Sequence, residues 1–522
     1  MNRRRALSAA AITLVLVGAA AAAPTWRAPV RLSPSDRALG PELDVNSAGD
    51  AVTVWDHEEG ADCPNQPASL SCIHIVEAAS RTSGNAWQTP VEVARPGIGA
   101  APRVALDPAG DAAIIWIHDI GQDRVLQATI RPHGAATWPN ANDLSGRPFE
   151  IKNHDVALDG SGNAVAVWAQ RDASTFYVVG DLRPAAGGVW LAPVALSGIS
   201  SDATAGPALA AVSSGDVLVA WIDGGALRIA GGQAASGVWA APVSPAGGGL
   251  GTDSDVDIAL SPSGDAAVAW SWRRSASGPN VVQTAFRPAG AGWGAVVDLG
   301  TVAGRSHVRV VISDAGNLAA VWRGPDNTLR AAGRARSTGH WSQPRTIATN
   351  VAAAAAQVAM NPGGNAVAVW SNSVSGKARG ALRPAGGAWQ PPVGVSTAAS
   401  SGARVALDAA STAVAVWNRL PEQRVIVESA DLRGGGPVLA GVQVPEHAVV
   451  QVKASFSVQP KAWASPLVGA PLWRFGDGSS ATGVSAKHAF KTRGVFTVTV
   501  SQSDATGTRS TATRKITVSA AT

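Results

Sequence analysis

Cysteine is scarce in this sequence: its 522 residues include only Cys63 and Cys72. Domains that depend on a disulfide framework carry many more cysteines, so that class of scaffold is excluded. Two cysteines this close in an exported chain are expected to form one disulfide, with a pair of free thiols as the alternative. Such a bond closes a short loop and stabilises the chain only locally.

Lysine is also sparse. Of seven lysines, only Lys152 and Lys377 precede residue 450. The formal net charge is +5, but Arg3, Arg4 and Arg5 supply three of those charges at the extreme N-terminus, so their removal leaves +2. No basic patch marks a nucleic-acid surface, and we expect no nucleic-acid partner.

The N-terminal segment has the three parts of a secretory signal peptide. Three arginines precede the apolar run from Ala6 to Val17, and a small-residue tract follows from Gly18 to Ala23. We predict that residues 1–23 are removed and that the mature protein is secreted or displayed at the cell surface, with no membrane span. The alternative is an uncleaved anchor, but about half of Ala6 to Ala23 is alanine, which is weakly apolar for a span.

The sequence also lacks the 3.6-residue apolar period of amphipathic helices. Its regular feature is instead a repeated spacing of tryptophans. Sixteen of the nineteen tryptophans form two alternating series. The first series ends runs such as GNAVAVW and comprises Trp55, Trp116, Trp168, Trp221, Trp270, Trp322, Trp370 and Trp417. The second usually begins W-x-x-P-V and comprises Trp26, Trp87, Trp138, Trp190, Trp239, Trp293, Trp341 and Trp389. Seven intervals separate Trp55 from Trp417, a mean period of about 52 residues.

Each period predicts four short strands. An R-V-A-L-D run is the first, the A-V-A-V-W run is the second, the third ends in R-P, and the fourth starts at the second-series tryptophan. Between the first two strands, glycine stands six residues before the tryptophan in seven of eight repeats. This position suits a tight turn closed by a residue with positive φ.

Four antiparallel strands in a period near 50 indicate a β-propeller. The chain opens with an unpaired fourth strand from Trp26 to Ser33, and the last repeat stops after its third strand near Leu432. Pairing these two halves would close a ring and leave no open sheet edge. We therefore predict an eight-bladed propeller over residues 24–434, closed by the N-terminal strand, with seven blades as the alternative. We expect a monomer.

Residues 26 to about 432 resemble the BNR or Asp-box repeats of sialidase-like propellers. The resemblance rests on W-x-x-P-V and on a glycine three residues before the tryptophan, at Gly84, Gly187, Gly290 and Gly386. The aspartate of the box is replaced by Thr82, Ala185, Pro288 and Pro384. The resemblance implies a propeller and, as an alternative function, a glycan-active hydrolase. A sialidase would also show an F/Y-R-I-P stretch and a Tyr-Glu pair, but the sole tyrosine, Tyr177, lies in a strand pattern and is expected to pack.

A different domain follows Gly434-Gly435-Gly436. Leu472 to Gly478 contains W-x-F-G-D-G, and Lys487 to Phe490 with Gly494 to Val500 supplies an H-x-F and a G-x-F-x-V-x-V close. These motifs resemble the PKD domain, which implies an Ig-like β-sandwich over residues 435–522 and an extracellular setting.

The candidate binding site lies where the repeats differ. The position thirteen residues before each first-series tryptophan holds Glu42, Arg103, Asp155, Ala208, Asp257, Arg309, Gln357 and Arg404. Six of these are charged and could form a ring at one mouth of the propeller channel, binding a glycan or an extracellular protein. The alternative is that charged residues leading into buried strands are simply solvated.

Signals for chemistry are weak. Asp56-His57-Glu58-Glu59 and His118-Asp119 combine histidine with carboxylates, but no pair has a recognised metal-ligand spacing, so we predict polar loops and no metal. No G-x-S-x-G occurs in a strand-turn-helix context. We predict no catalytic residues and no cofactor, hence a non-catalytic binding or scaffold protein; a glycan-active hydrolase and a purely structural spacer stay open.

Overall fold

The described chain is all β. The computed structural model describes residues 26–520 apart from 61–71, 98–99, 121–122, 147, 149, 172–174, 199–202, 246–254, 274–277, 303–306, 353–355, 421–424, 433–435 and 506. The predicted signal peptide and Cys63 lie outside these residues. Within them there is no α-helix, only a short 3-10 helix at Pro325–Asn327. Contacts group Trp26–Arg433 into one unit and Gly434–Thr522 into another.

The repeating unit of Trp26–Arg433 is a four-stranded antiparallel sheet, called a blade here and numbered 1 to 8 along the chain. First strands are Ala38–Val45, Arg103–Leu106, Glu150–Leu158, Ala203–Ala211, Val256–Leu260, Val308–Ile312, Gln357–Met360 and the second half of Val393–Leu407. Second strands are Ala51–Glu59, Ala112–Asp119, Ala164–Arg171, Asp216–Asp223, Ala266–Arg273, Leu318–Gly324, Ala366–Ser371 and Ala413–Arg419. Third strands are Ile73–Arg81, Arg124–Arg131, Phe176–Arg183, Ala226–Gln233, Asn280–Arg287, Thr328–Arg334, Lys377–Arg383 and Ile426–Leu432. Fourth strands are Val91–Gly97, Asn142–Asp143, Val194–Ala195, Val238–Trp239, Val297–Thr301, Arg345–Ala348, the first half of Val393–Leu407 and, for blade 8, Val30–Arg31.

The two ends of the repeat region meet in blade 8. Val30 pairs with Ser429 and Arg31 with Glu428, so the N-terminal strand is the fourth strand of the last blade. First strands of successive blades contact one another in order, and that of blade 1 also contacts the strand Val393–Leu407. The first strands therefore surround a central channel, which fixes the position of the candidate site.

The turn between first and second strands has the predicted backbone. All seven glycines six residues before the tryptophan have positive φ, between 74° and 94°. Ser411, which replaces glycine in blade 8, also has positive φ, at 66°. In blade 8 the N–H of Ser411 donates to the Asp408 carbonyl at 3.1 Å, and in blade 2 that of Gly110 donates to Asp107 at 3.1 Å. The turn geometry is thus kept even where the residue is unfavourable for it.

First-series tryptophans form the core between blades. All eight are at most 2% exposed. Each described cluster joins two neighbours: Trp168 of blade 3 packs with Ala113 and Ile115 of blade 2. Small side chains on the facing second strands leave room for the indole, which explains the Ala-Val composition of these runs.

Second-series tryptophans are half-buried near the outer strands, and several lie against an arginine of the preceding third strand. The guanidinium of Arg131 lies 4.6 Å from the ring centroid of Trp138, and that of Arg81 lies 4.8 Å from Trp87. The prediction that the fourth strand starts at the tryptophan is wrong in most blades. In seven of the eight blades it starts four residues later.

The C-terminal unit is a two-sheet sandwich. One sheet contains Val438–Gln443, Ala454–Lys461 and Ser485–His488, and the other contains His447–Val449, Arg509–Ser519, Gly494–Asp504, Leu467–Arg474 and Ser480–Thr482. Trp473, Phe475, Phe456 and Phe490 fill the space between them, each at most 2% exposed. The aromatic residues of the W-x-F-G-D-G and H-x-F motifs are therefore core residues.

Candidate functional site

The eight predicted ring positions occupy equivalent places in the sheets. Each pairs across the hairpin with the residue just before the first-series tryptophan, as Glu42 does with Val54 and Arg404 with Val416. All eight side chains are half-buried. The first strands place them at one level of the channel, and the described geometry brings some of them into direct contact.

Glu42 is held by two arginines from the neighbouring blades. Arg404 donates from Nε to Oε2 and from Nη2 to Oε1, both at 2.7 Å. Arg103 lies 3.0 Å from Oε1. Burial raises the pKa of Glu42, but the arginines outweigh it, and the net pKa lies below the ordinary value. Glu42 is thus an anion whose two oxygens bind blade 1 to blades 2 and 8.

Blade 5 is joined to blade 6 in a similar way. Arg309 lies 3.0 Å from Asp255, which also accepts the N–H of Val308 at 3.0 Å. Asp257 accepts the N–H of Val310 at 2.8 Å. Burial raises the pKa of Asp257 to about 6, whereas for Asp255 the effect of burial is outweighed by Arg309, and its pKa is lowered.

Further titratable groups line the same channel. Asp44 accepts the N–H of Leu106 at 2.7 Å, and burial raises its pKa to about 6. Burial likewise raises the pKa of Asp155 to about 6. Neighbouring His154 donates from Nε2 to the Ala101 carbonyl at 2.7 Å, and burial lowers its pKa to about 3. The histidine is therefore neutral at pH 7.

Asp44 and Asp255 were not among the residues predicted for the ring. Asp44 stands two residues after Glu42 on the strand Ala38–Val45, and residues two apart in a strand share a face. Asp255 stands two residues before Asp257, immediately before the strand Val256–Leu260 begins. Applying the alternation to the first strands would have identified Asp44 but not Asp255. The sequence does not show which charges pair, because the contacts cross between blades.

The raised pKa of Asp257 predicts a stability effect of defined sign. A carboxyl whose folded pKa lies above its ordinary 3.8 stabilises the fold when protonated, and that contribution is lost as pH rises through about 6. Asp257→Asn should therefore be more stable than the parent by about 1–3 kcal/mol at pH 7, and the difference should vanish near pH 4. Denaturant unfolding from pH 4 to 8 measures this.

Asp314→Asn, at an exposed position, is the matched control and should shift stability little at any pH. Identical pH dependence of the free energy of unfolding in the parent and Asp257→Asn would contradict the assigned titration.

The acidic segment of blade 1 is not a loop, as we had predicted, but part of the second strand Ala51–Glu59. The strand continues past the tryptophan because the third strand pairs with it to its end. Asp56 accepts from His74 Nδ1 at 2.8 Å, and His57 Nδ1 lies 3.2 Å from Glu77. His118-Asp119 likewise belongs to a second strand, Ala112–Asp119.

Among the residues that the structure describes, this segment contributes to one group of candidate metal ligands. Ligand atoms of Glu58, Cys72 and His74 lie within 4.8 Å of one another. Sulfur binds a metal as a thiolate, so the group can act only if Cys72 is reduced. Because Cys63 lies outside the described residues, the disulfide between Cys63 and Cys72 stays a prediction.

Two other candidate chemical groups are structural. Tyr177 is 6% exposed, packs between blades 2 and 3 and lies within hydrogen-bond distance of Gln170, so its predicted packing role is confirmed. In the C-terminal sandwich, His488 Nε2 bonds Asp477 at 2.7 Å and the ring stacks on Phe475 at 4.1 Å. Burial raises the pKa of Asp477, but hydrogen bonds from Ser479 and His488 lower it overall. Serine and histidine both contact the aspartate, which is not the relay order of a nucleophilic triad.

Comparison with known families identifies the C-terminal unit. Residues 437–518 match the PKD domain, and this segment is a PKD domain. No curated protein matches the chain in sequence. The described part of the chain includes no helix long and apolar enough to cross a membrane.

Several solved structures are similar to the chain at low identity. A fungal alcohol oxidase of the AA5 family in complex with copper is 11% identical, with a TM-score of 0.42, covering 95% of this chain and 100% of its own. The NanB sialidase of Streptococcus pneumoniae is 11% identical with a TM-score of 0.35, covering 77% and 69%. The polysaccharide lyase Uly1 is 9% identical with a TM-score of 0.42, covering 77% and 90%. With TM-scores below 0.5 these likenesses support no conclusion on activity, and the fold class stands on the sheets themselves.

Proposed function

We propose that this chain is an exported, non-catalytic binding or scaffold protein, monomeric and located outside the cell or at its surface. Its ligand is a glycan or an extracellular protein. The PKD domain supports the extracellular setting, and the pairing of Glu42 supports the absence of catalysis.

The observation that carries the proposal is the bonding of Glu42. Hydrolysis of a glycosidic bond commonly needs a carboxyl acid and a second carboxylate that attacks the sugar or activates water. Both oxygens of Glu42 already accept from Arg404, and Arg103 lies beside one of them. A carboxylate engaged on both oxygens is a poor nucleophile or base. The bonding of Glu42 therefore suits a role in joining neighbouring blades and in binding a ligand better than a role in catalysis.

The arginines of the ring supply the proposed ligand contacts. The side chains of Arg103, Arg309 and Arg404 are 35%, 25% and 29% exposed, so part of each faces the channel. Guanidinium groups that are already oriented by a carboxylate can still donate to hydroxyl or carboxylate oxygens of a ligand. Asp155 and Asp257 complete the proposed site.

One observation favours the alternative of a glycan-active hydrolase. The pKa of Glu42 is lowered while burial raises that of Asp155 to about 6, and a pair of carboxyls separated in this way can divide the roles of base and acid. The alternative therefore predicts dependence of turnover on these two residues.

An array of polysaccharides and extracellular proteins, probed with the full chain, tests the proposal. We expect at least one retained ligand and no release of new reducing ends from any polysaccharide. Arg309→Gln should weaken channel binding about tenfold, because one charge-assisted hydrogen bond is lost. Turnover that disappears in Glu42→Gln, Asp155→Asn and Asp257→Asn would overturn the proposal in favour of the hydrolase.

A further inference from the structure

A groove lies between the outer strands of blades 6 and 7. Its main part has a volume of about 830 Å³ and is lined on the blade 6 side by Arg345 and Trp341, and on the blade 7 side by Arg383 and Trp389. A second cavity of about 420 Å³ shares two lining residues with it and adds Arg379. The two cavities therefore adjoin at Thr346 and Ile347, and together they are called the groove here.

The charges along this groove are of one sign. None of the residues that line either cavity is an aspartate or a glutamate. Arg379 and Arg383 lie four residues apart on the strand Lys377–Arg383, which places both on one face. Their guanidinium groups donate to main-chain carbonyls: Arg383 to Gly387 at 3.2 Å, and Arg379 to Pro392 at 2.9 Å.

These arginines are therefore oriented by neutral partners. Burial lowers the pKa of Arg383, and no carboxylate offsets that effect. A cation partly removed from water without a counter-ion is costly, and an anionic ligand would relieve the cost.

Cavities elsewhere on the blades contain a carboxylate beside the corresponding arginine. Asp216 lines a cavity with Arg287 between blades 4 and 5 and interacts with it electrostatically. Asp431 lines another with Arg81, at 2.8 Å. The lack of a carboxylate among the lining residues thus distinguishes the groove from these two cavities, although burial alone also lowers the pKa of Arg131 and of Arg334.

Arg345 is a departure from the repeat itself. The fourth residue after a second-series tryptophan is valine in six of eight repeats, but arginine here. Its side chain is exposed. An arginine thus stands at the edge of the groove where most repeats have valine, and it lines the same cavity as Arg383.

We propose that this groove binds an acidic polysaccharide whose sugars carry carboxylates. The ligand's carboxylates lie against Arg345, Arg379 and Arg383, because guanidinium groups match carboxylates in geometry and charge. Its sugar rings pack on the half-buried indoles of Trp341 and Trp389, which offer apolar faces beside polar groups. The inference rests on the proposed function and adds a ligand class and a second site, distinct from the channel ring.

Three probes separate the contribution of the ligand's sugar rings from that of its carboxylates. Polygalacturonate carries both sugar rings and carboxylates, its fully methyl-esterified form keeps the rings without the charge, and polyglutamate keeps the charge without the rings. The full chain should bind polygalacturonate at least about tenfold more tightly than either of the others, and added salt should weaken the interaction. Equal affinity for the methyl ester would overturn the role of charge, and equal affinity for polyglutamate would overturn the assignment to a glycan.

Variants locate the site. Arg345→Gln changes an exposed side chain and should lower the affinity for polygalacturonate about tenfold, as should Trp389→Ala. The controls in blade 5 are Arg287→Gln, at the position equivalent to Arg383, and Trp293→Ala, at the position equivalent to Trp389; both should leave the affinity unchanged. Thermal unfolding of each variant verifies that the fold is retained, and Arg345→Gln keeps the test valid if Trp389→Ala does not fold.

The outcomes distinguish the groove from the channel. No binding of polygalacturonate, or a loss of binding in Glu42→Gln with none in Arg345→Gln, overturns the groove site and leaves the proposed function standing. Cleavage of the polymer combined with loss of affinity in Arg345→Gln supports the groove and overturns the non-catalytic function.

Discussion

Trp168→Ala should lower the free energy of unfolding by about 3–5 kcal/mol, the cost of replacing a fully buried tryptophan by alanine. Trp168 has no exposed surface and belongs to a core cluster with alanine, isoleucine and leucine side chains of blade 2, which are held in strands and cannot collapse into the space it leaves. Chemical denaturation followed by tryptophan fluorescence or circular dichroism measures the loss.

The matched control is Trp190→Ala in the same blade. Trp190 is half-buried near the outer strands, so its side chain buries less surface than that of Trp168. Its replacement by alanine should therefore cost less than half the free energy of unfolding lost in Trp168→Ala. Equal losses at Trp168 and Trp190 would show that the two series do not differ in their contribution to the core.

Glu42→Gln should lower the free energy of unfolding by about 2–4 kcal/mol at pH 7. Glutamine is uncharged, so Arg404 would lose its carboxylate partner, and Arg103 would keep only its electrostatic interaction with Asp155. Because both arginines are partly exposed, the expected loss of stability is no larger than the loss of about 3–5 kcal/mol that is typical when a fully buried ion pair is broken. Denaturant unfolding at several pH values measures it.

The pH dependence of this effect has a definite sign. The folded pKa of Glu42 lies below its ordinary 4.5, so its contribution is present above that pH and is lost as pH falls through the folded value. The difference between parent and Glu42→Gln should therefore shrink in acid. Glu92→Gln removes an exposed partner of Arg95 and should cost less than about 1 kcal/mol; a loss as large as that at Glu42 would refute the special role of the ring.

Much of the fold can be predicted from the sequence because the same strand and turn pattern occurs in eight repeats. The all-β class, the strand order and the positive-φ turn follow from local patterns, and Ser411 shows the turn surviving without glycine. The PKD motifs are equally local. The start of the fourth strand was predicted wrongly, and proline does not explain the difference: blade 5 starts this strand late without a proline, and blade 4 has the proline without the delay.

The candidate site is less predictable because its contacts join distant parts of the chain. The spacing places Glu42 and Arg404 at equivalent positions, but their contact depends on blade 8 meeting blade 1. Asp56 and His57 lie in a strand and not in the predicted loop because the third strand of blade 1 pairs with them. This pairing is not visible in the local sequence of the segment. The groove between blades 6 and 7 arises from residues 345, 379 and 383, which no single motif contains.

Prolonged incubation of the full chain with acidic and neutral polysaccharides, followed by mass analysis of the products, tests most directly whether this protein binds without turnover. The account predicts that a ligand is retained on the protein and recovered with unchanged chain length. Shortened products formed by the parent and absent with Glu42→Gln or Asp155→Asn would contradict it.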